Sequence, residues 1–267
     1  MVFLRLLLLS FLLYGCSFQK QDMTEVIHKH YIGQGALDKY SKVLNAGEQK
    51  VFNQNIELSK DIAYLLQGNI LYIKLFYFHR QSMQNIEQYI SNYPQSKGMI
   101  LDLRNNTGGL LEQAINIVDL FIEKDETLLH ISNGKDNDIY YAKKKASYKR
   151  PVVVLVNNKS MSASEIVAGI LQEKQRAIII GQITYGKGSI QDIIQKNSQS
   201  AKVTTGYYSL PSGTNIENVG IIPNIEIKHN KITKVKNISQ DMRRKLNKVK
   251  MQNKDVNLIV AQRFLTI

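Results

Sequence analysis

Four short apolar runs limit what this chain can fold into: "GNILYIKLFYF" at 68–78, "GMILDLR" at 98–104, "PVVVLVN" at 151–157 and "AIII" at 177–180. Each is too short for a buried helix and rich in β-formers, so each reads as a core strand. Between them the apolar spacing turns helical. An amphipathic helix covers Ser82–Tyr93 and stops at Pro94, and "NNTGG" at 105–109 is a turn that opens onto the helix "LLEQAINIVDLFIEK". Strand alternating with helix predicts a layered α/β core. Beyond Ser189 the pattern changes to short strands, including "AKVTTGYYSL" and "IPNIEI". The expected organisation is a leader over 1–15, a small helical lead-in over 16–67, a core over 68–230, and a basic linker with a closing amphipathic helix over 231–267. Gly33, Gly35 and Gly47 break the lead-in.

With 267 residues the chain is long enough for a proper core, and 43% hydrophobic residues exclude a disordered class. A net charge of +13 would ordinarily suggest nucleic acid or an anionic membrane as partner. The N-terminus decides between them. "MVFLRLLLLSFLLYGCSFQK" has a basic start at Arg5, an apolar run over Leu6–Leu13 that is short of the roughly 20 residues a spanning helix needs, and then Cys16. It reads as an export signal, and Leu13-Tyr14-Gly15-Cys16 resembles a bacterial lipobox. The expectation is a protein of the bacterial cell envelope, facing the periplasm and anchored by lipid on Cys16, with nucleic acid excluded as a partner. Cys16 is the only cysteine, so disulfides and cysteine metal sites are excluded from the mature fold. No metal or cofactor is expected.

Two motifs carry chemistry. Gly181-x-x-x-x-Gly186-Lys187 matches most of a phosphate-binding loop but puts Gly188 where the magnesium-holding Ser or Thr belongs. The "SIQDII" that follows is β-like, where a phosphate loop would open a helix. Ser160, Ser162 and Ser164 stand at the start of an apolar helix, where free backbone N–H groups can receive an oxyanion beside a nucleophile. On pattern alone, Ser162-Ala163-Ser164-Glu165 reads first as a capping box that ties off the helix. None of the five histidines (His28, His30, His79, His130, His229) lies in a recognisable triad motif. A lysine replaces histidine as general base only when burial or a neighbouring cation brings it down from about 10.4. Lys187, between two glycines and beside "AIIIG" and "SIQ", is suited to that role or to an ordinary loop position.

The stretch "LVNNKSMSASEIVAGILQEKQRAIIIGQITYGKGSIQ" resembles the signature of the carboxyl-terminal processing proteases, also called tail-specific proteases. "GMILDLRNNTGGLLEQAINIVDLFI" and "YYSLPSGTNIENVGIIPNIEI" resemble two further blocks of that family, in the same order. The resemblance implies a crotonase-like α/β fold and a serine endopeptidase acting on peptide or protein substrates. It implies Ser162 as nucleophile, Lys187 as base and Gln191 as the residue that orients the lysine. The implied oxyanion donors are the N–H groups of Ala163 and Gly108, with Gly109 as the alternative. Met161 replaces the alanine common in that motif. The stretch between Cys16 and Gly68 is short for the peptide-capturing PDZ domain that many members insert. Substrate selection by an adaptor protein, or simply by accessible unfolded chain, is therefore expected. A non-catalytic peptide-binding protein on the same fold is the alternative reading. The Ser-x-x-Lys pairs Ser17–Lys20 and Ser132–Lys135 fall in a polar N-terminal stretch and a turn, not at an apolar helix start.

Overall fold

The computed structural model describes residues 42–44, 61–134, 136–196, 199–246 and 255–266. The leader, Cys16 and most of the lead-in lie outside them. The chain divides into two compact units. The larger holds a seven-stranded sheet of β2 (Ile62–Leu66), β3 (Ile70–Lys74), β4 (Gly98–Asp102), β7 (Val152–Val156), β8 (Ala177–Gly181), β11 (Ile225–Lys228) and β12 (Lys231–Val235). Its spatial order is β12-β11-β8-β7-β4-β3-β2. The central ladder of β3, β4, β7, β8 and β11 is parallel, and β2 and β12 add antiparallel edges. Between β4 and β7 in sequence come β5 (Thr127–Ser132) and β6 (Asn137–Tyr141), neighbouring strands outside this sheet.

Parallel strands must be covered on both faces. On one face Ile70, Tyr72, Ile100, Val153, Leu155, Ile180, Ile225 and Ile227 form a core with Leu246 of α4 (Gln240–Leu246) and with Val256, Val260, Ala261 and Leu265 of α5 (Val256–Leu265). The alternate residues Leu71, Ile73, Met99, Leu101, Val152, Val154 and Ile179 point the other way and are equally buried. The helices that follow β3, β4 and β7 contribute further buried residues. They are α1 (Ser82–Asn92) with Ile86, α2 (Leu111–Asp119) with Ile117 and Val118, and α3 (Ala163–Glu173) with Ile166, Val167 and Ile170.

In the smaller unit β10 (Gln199–Ser209) pairs antiparallel with β9 (Ser189–Lys196) on one side and β1 (Lys42–Leu44) on the other. The last two residues of β10, Tyr208 and Ser209, belong to the larger unit.

The layered α/β core agrees with the sequence expectation, and its limits differ in two places. Where it is described, the lead-in is strand and not helix: Lys42–Leu44 is β1, and Ile62–Leu66 is β2, paired with β3 from Ile62↔Lys74 to Leu66↔Ile70. The residues "IAYLL" are drawn into the sheet by an edge on offer, a tertiary effect that local spacing does not carry. The basic segment after 230 likewise begins with β12. His229 and Asn230 take φ of +48° and +58°, the two-residue turn that matches strand twist, and fold Lys231–Val235 back on β11. Ile232 and Val235 then pack against the core while Lys231, Thr233 and Lys234 face water.

Asp102, buried at the end of β4, ties this architecture together. It accepts from Tyr72 Oη at 2.7 Å, from Lys74 Nζ at 3.3 Å and from Nε and Nη2 along one edge of the Arg104 guanidinium. Arg104 also pairs with Asp255 at 2.6 Å, and Asp255 caps the start of α5 by accepting from Leu258 N–H. Burial pushes the Asp102 carboxyl up, but the Arg104 and Lys74 cations and the Tyr72 hydroxyl outweigh it, and the carboxyl rests below its ordinary range. A depressed carboxyl stabilises the fold above the ordinary value of 3.8 and ceases to do so as pH falls through the depressed one. Asp102→Asn is expected to cost about 3–5 kcal/mol at neutral pH, because it leaves cations half-paired in the interior. It is also expected to flatten the acid limb of stability, as read by chemical denaturation from about pH 5 downwards.

Candidate active site

The three serines of the "SMSAS" run have different surroundings. Ser160 is wholly buried, its Oγ donating to the Leu103 carbonyl at 2.8 Å and accepting from Asn157 N–H. Ser164 is wholly buried, its Oγ donating to the Asn106 carbonyl at 2.9 Å. Both hydroxyls knit the loop after β7 to the loop after β4. Ser162 alone is half-buried, and its backbone sits at φ +55°, ψ −116°, a conformation that costs an L-residue about 1–3 kcal/mol. Surrounding contacts have to over-determine such a residue, and here they do.

The main contact is Glu165, fully buried three residues into the turn. Its Oε2 accepts the Ser162 N–H at 2.8 Å and the Lys187 N–H at 2.9 Å. Its Oε1 accepts the Gly186 N–H at 2.7 Å and the Thr184 hydroxyl at 2.5 Å. The capping reading is therefore correct in part, since the carboxylate does close the helix start, but it also reaches across to the loop after β8. Burial pushes the Glu165 carboxyl up from its ordinary range against the pull of these four donors. Lys187 is nearly buried, at 8% exposure. The chain continues from it into the strand β9 and not into a helix, which removes the phosphate-loop reading. Gly188 N–H donates to Glu217 at 2.6 Å, so both peptides after Gly186 end on carboxylates.

The "NNTGG" turn forms the facing wall. Buried Asn106 holds it from the inside: its amide donates to the Leu75 carbonyl, its Oδ1 accepts Gly108 N–H at 2.8 Å, and its carbonyl accepts Met161 N–H. Gly108 lies so close to the serine turn that a Cβ there would stand 3.0 Å from Ser162 Cβ and 3.2 Å from Ala163 N. Its φ of +100° also demands glycine. Phe78 clamps the far side, donating its N–H to Gly108 and accepting from Leu110.

The N–H groups after Ser162 separate clearly. Those of Ser164, Glu165 and Ile166 return to the Met161 and Ser162 carbonyls. The Ala163 N–H finds no acceptor among the described residues. Gly109 N–H is likewise open, whereas the Gly108 N–H is already taken by Asn106. Of the two glycines named from the sequence, the alternative is the one with a donor to spare.

Gln191 lies on β9 of the smaller unit, opposite Thr204. Asn106, Thr184 and Tyr208, which the sequence reading passed over, touch these loops directly. Their signal was faint, since a buried Asn or Thr in a turn looks like any turn residue. His79 is no rival base. Its Nδ1 accepts from Gln81 N–H and its Nε2 lies 2.9 Å from Asp61, so both nitrogens are occupied. A cavity of about 490 Å³ lined by Tyr64, Lys74, Phe76 and Arg104 does not include Ser162 or Lys187. Among the described residues no cluster could hold a metal ion, and no helix is long and apolar enough to cross a membrane.

Replacing Glu165 by Gln keeps the shape but turns an NH2 group towards two of the four donors. Each hydrogen bond to a charged group is worth about 1.5–3 kcal/mol, so the variant is expected to lose at least about 2 kcal/mol in chemical denaturation.

Residues 69–227 match the model of peptidase family S41. The carboxy-terminal-processing protease of Bartonella bacilliformis is 39% identical over 178 residues, 63% of this chain and 41% of that protein. The carboxyl-terminal-processing protease of Synechocystis is 35% identical over 194 residues, 68% of this chain and 45% of that protein. The chain thus spans less than half the length of these relatives. Among solved structures, the photosystem II D1 C-terminal processing protease superposes with a TM-score of 0.56 at 27% identity, covering 64% of this chain and 49% of that one. A lipoprotein from Streptococcus agalactiae shares the fold, with a TM-score of 0.57 at 20% identity over 72% of each chain. With these blocks in order, and the serine and lysine turns meeting at one buried glutamate, the chain belongs to peptidase family S41.

Proposed function

We propose that this protein is a serine endopeptidase of the carboxyl-terminal processing type, cleaving exported proteins at the bacterial cell envelope. The observation that carries the reading is the environment of Ser162. Unlike the wholly buried Ser160 and Ser164 it is half-buried, it sits on a strained turn, and an open N–H lies beside it. In the proposed reaction neutral Lys187 accepts the Ser162 proton as Oγ attacks a peptide carbonyl. The oxyanion is received by Ala163 N–H and, in place of the spent Gly108 donor, by Gly109 N–H; one such donor is worth about 10²–10³ in rate. The proton passes to the departing amine, leaving an ester on Ser162. Water then attacks that ester, giving its proton to Lys187, and releases a new carboxylate. Gln191 is assigned its orienting role on the family resemblance alone.

Arginine keeps the charge of Lys187 but cannot give up its proton, so it cannot serve as base. Lys187→Arg and Ser162→Ala are each expected to abolish hydrolysis of an unfolded protein substrate, and to a similar degree, because the pair acts as a unit. Substantial turnover by folded Lys187→Arg would rule out the dyad.

Attachment to the membrane is proposed through lipid on Cys16. In cells fed a labelled fatty acid, Cys16→Ser is expected to lose the label and the protein to leave the membrane fraction. Label retained by the variant would overturn the anchor.

A further inference from the structure

We infer that Tyr208 is a positioning residue of the Ser162–Lys187 pair, its hydroxyl placed between the main-chain carbonyls of both residues. Oη lies 2.8 Å from the Lys187 carbonyl oxygen and 3.2 Å from that of Ser162. Both are acceptors and a phenol has one proton, so the two carbonyls share it, the nearer one taking the larger part. The ring is wholly buried, and its own N–H donates to the Gly188 carbonyl at 2.9 Å, so the same residue grips the Gly-Lys-Gly turn at two successive carbonyls. Burial, with the Glu165 and Glu217 carboxylates nearby, pushes the phenol well above its ordinary range, and it stays a donor at any working pH.

The arrangement complements that of Glu165. One carboxylate oxygen, Oε2, accepts the N–H of both Ser162 and Lys187. One phenol oxygen meets the C=O of both. Each of the two residues is thus held on both sides of its Cα through a shared atom, and neither can rotate about a single fixed point. For Ser162 this bears on ψ, because the direction of its carbonyl is what ψ −116° describes. Glu165 and Ile166 N–H also bond that carbonyl, at 2.7 and 3.0 Å, but both lie within the same helical turn. Tyr208 supplies the restraint that ties it to Lys187. A displacement of about 1 Å in a reacting pair is worth about 10² in rate, so a restraint of this kind acts on kcat.

The inference rests on the peptidase reading for its kinetic arm, and Tyr208→Phe in the full chain tests it. With active sites counted by burst titration on a nitrophenyl ester, the variant is expected to show kcat lowered about 10- to 100-fold per titrated site, with KM unchanged. A role in the fold alone would reduce the titrated fraction and the melting temperature and leave kcat per site at the wild-type value, and that result overturns the inference. Amide hydrogen exchange supplies an arm that needs no turnover. The Ser162 and Lys187 amides should exchange at least about 10-fold faster in the variant while those of Val153 and Val154 in β7 keep their protection. Unchanged exchange at Ser162 and Lys187 overturns the inference. Wild-type protein that shows no hydrolysis while the variant shows this exchange pattern would sink the peptidase reading and leave the clamp standing.

Discussion

One buried carboxylate holds this site together. An isolated charge inside a protein is costly enough that it usually neutralises or finds partners, and Glu165 finds four donors, three backbone N–H groups and one hydroxyl. Those donors come from the turn after β7 and the loop after β8, which have no sequence contiguity. The energy that satisfies the charge is therefore the same energy that fixes the serine turn against the lysine turn. Removing the charge does more than lose a cap, because it leaves amide groups of both turns unpaired in a dry interior.

The sheet makes that meeting possible. β4, β7 and β8 run parallel as neighbours, so the loops after all three emerge at one edge. "NNTGG", "SMSAS" and the Gly-Lys-Gly turn are those three loops. In open α/β sheets this edge is where ligand sites form, and the chemistry needs no further scaffolding than strands of matched length. Two buried hydroxyls, on Ser160 and Ser164, stitch the first loop to the second, and Glu165 and Tyr208 stitch the second to the third.

What could be read in the sequence followed from local pattern. The four core strands are runs of Val, Ile and Leu too short to be anything else, and three of the helices carry clean apolar spacing, so the α/β core was legible. A serine at a helix start and a lysine between glycines are local signals too, and they drew attention to Ser162 and Lys187. The strand at Ile62–Leu66 was not legible, because five residues become an edge strand only when β3 is there to pair with them. Nor was β12, whose inward-packing Ile232 and Val235 stand three positions apart across an irregularity in the pairing with β11. Which of the Gly108 and Gly109 N–H groups is taken was beyond any pattern. The side chain of Asn106, two positions before Gly108, folds back onto that amide.

The charges at the end of β4 also carry an order in time. Arg104, one residue before the "NNTGG" turn, is held between Asp102 and Asp255. A chain is made from its N-terminus, at about 5–20 residues per second. The sheet, the serine turn and the lysine turn all exist in covalent form well before position 255 appears. Until it does, Arg104 has one carboxylate instead of two and the face of the sheet under α5 is bare. The ring of charges that steadies the first of the three loops is thus closed only after all three loops have been made.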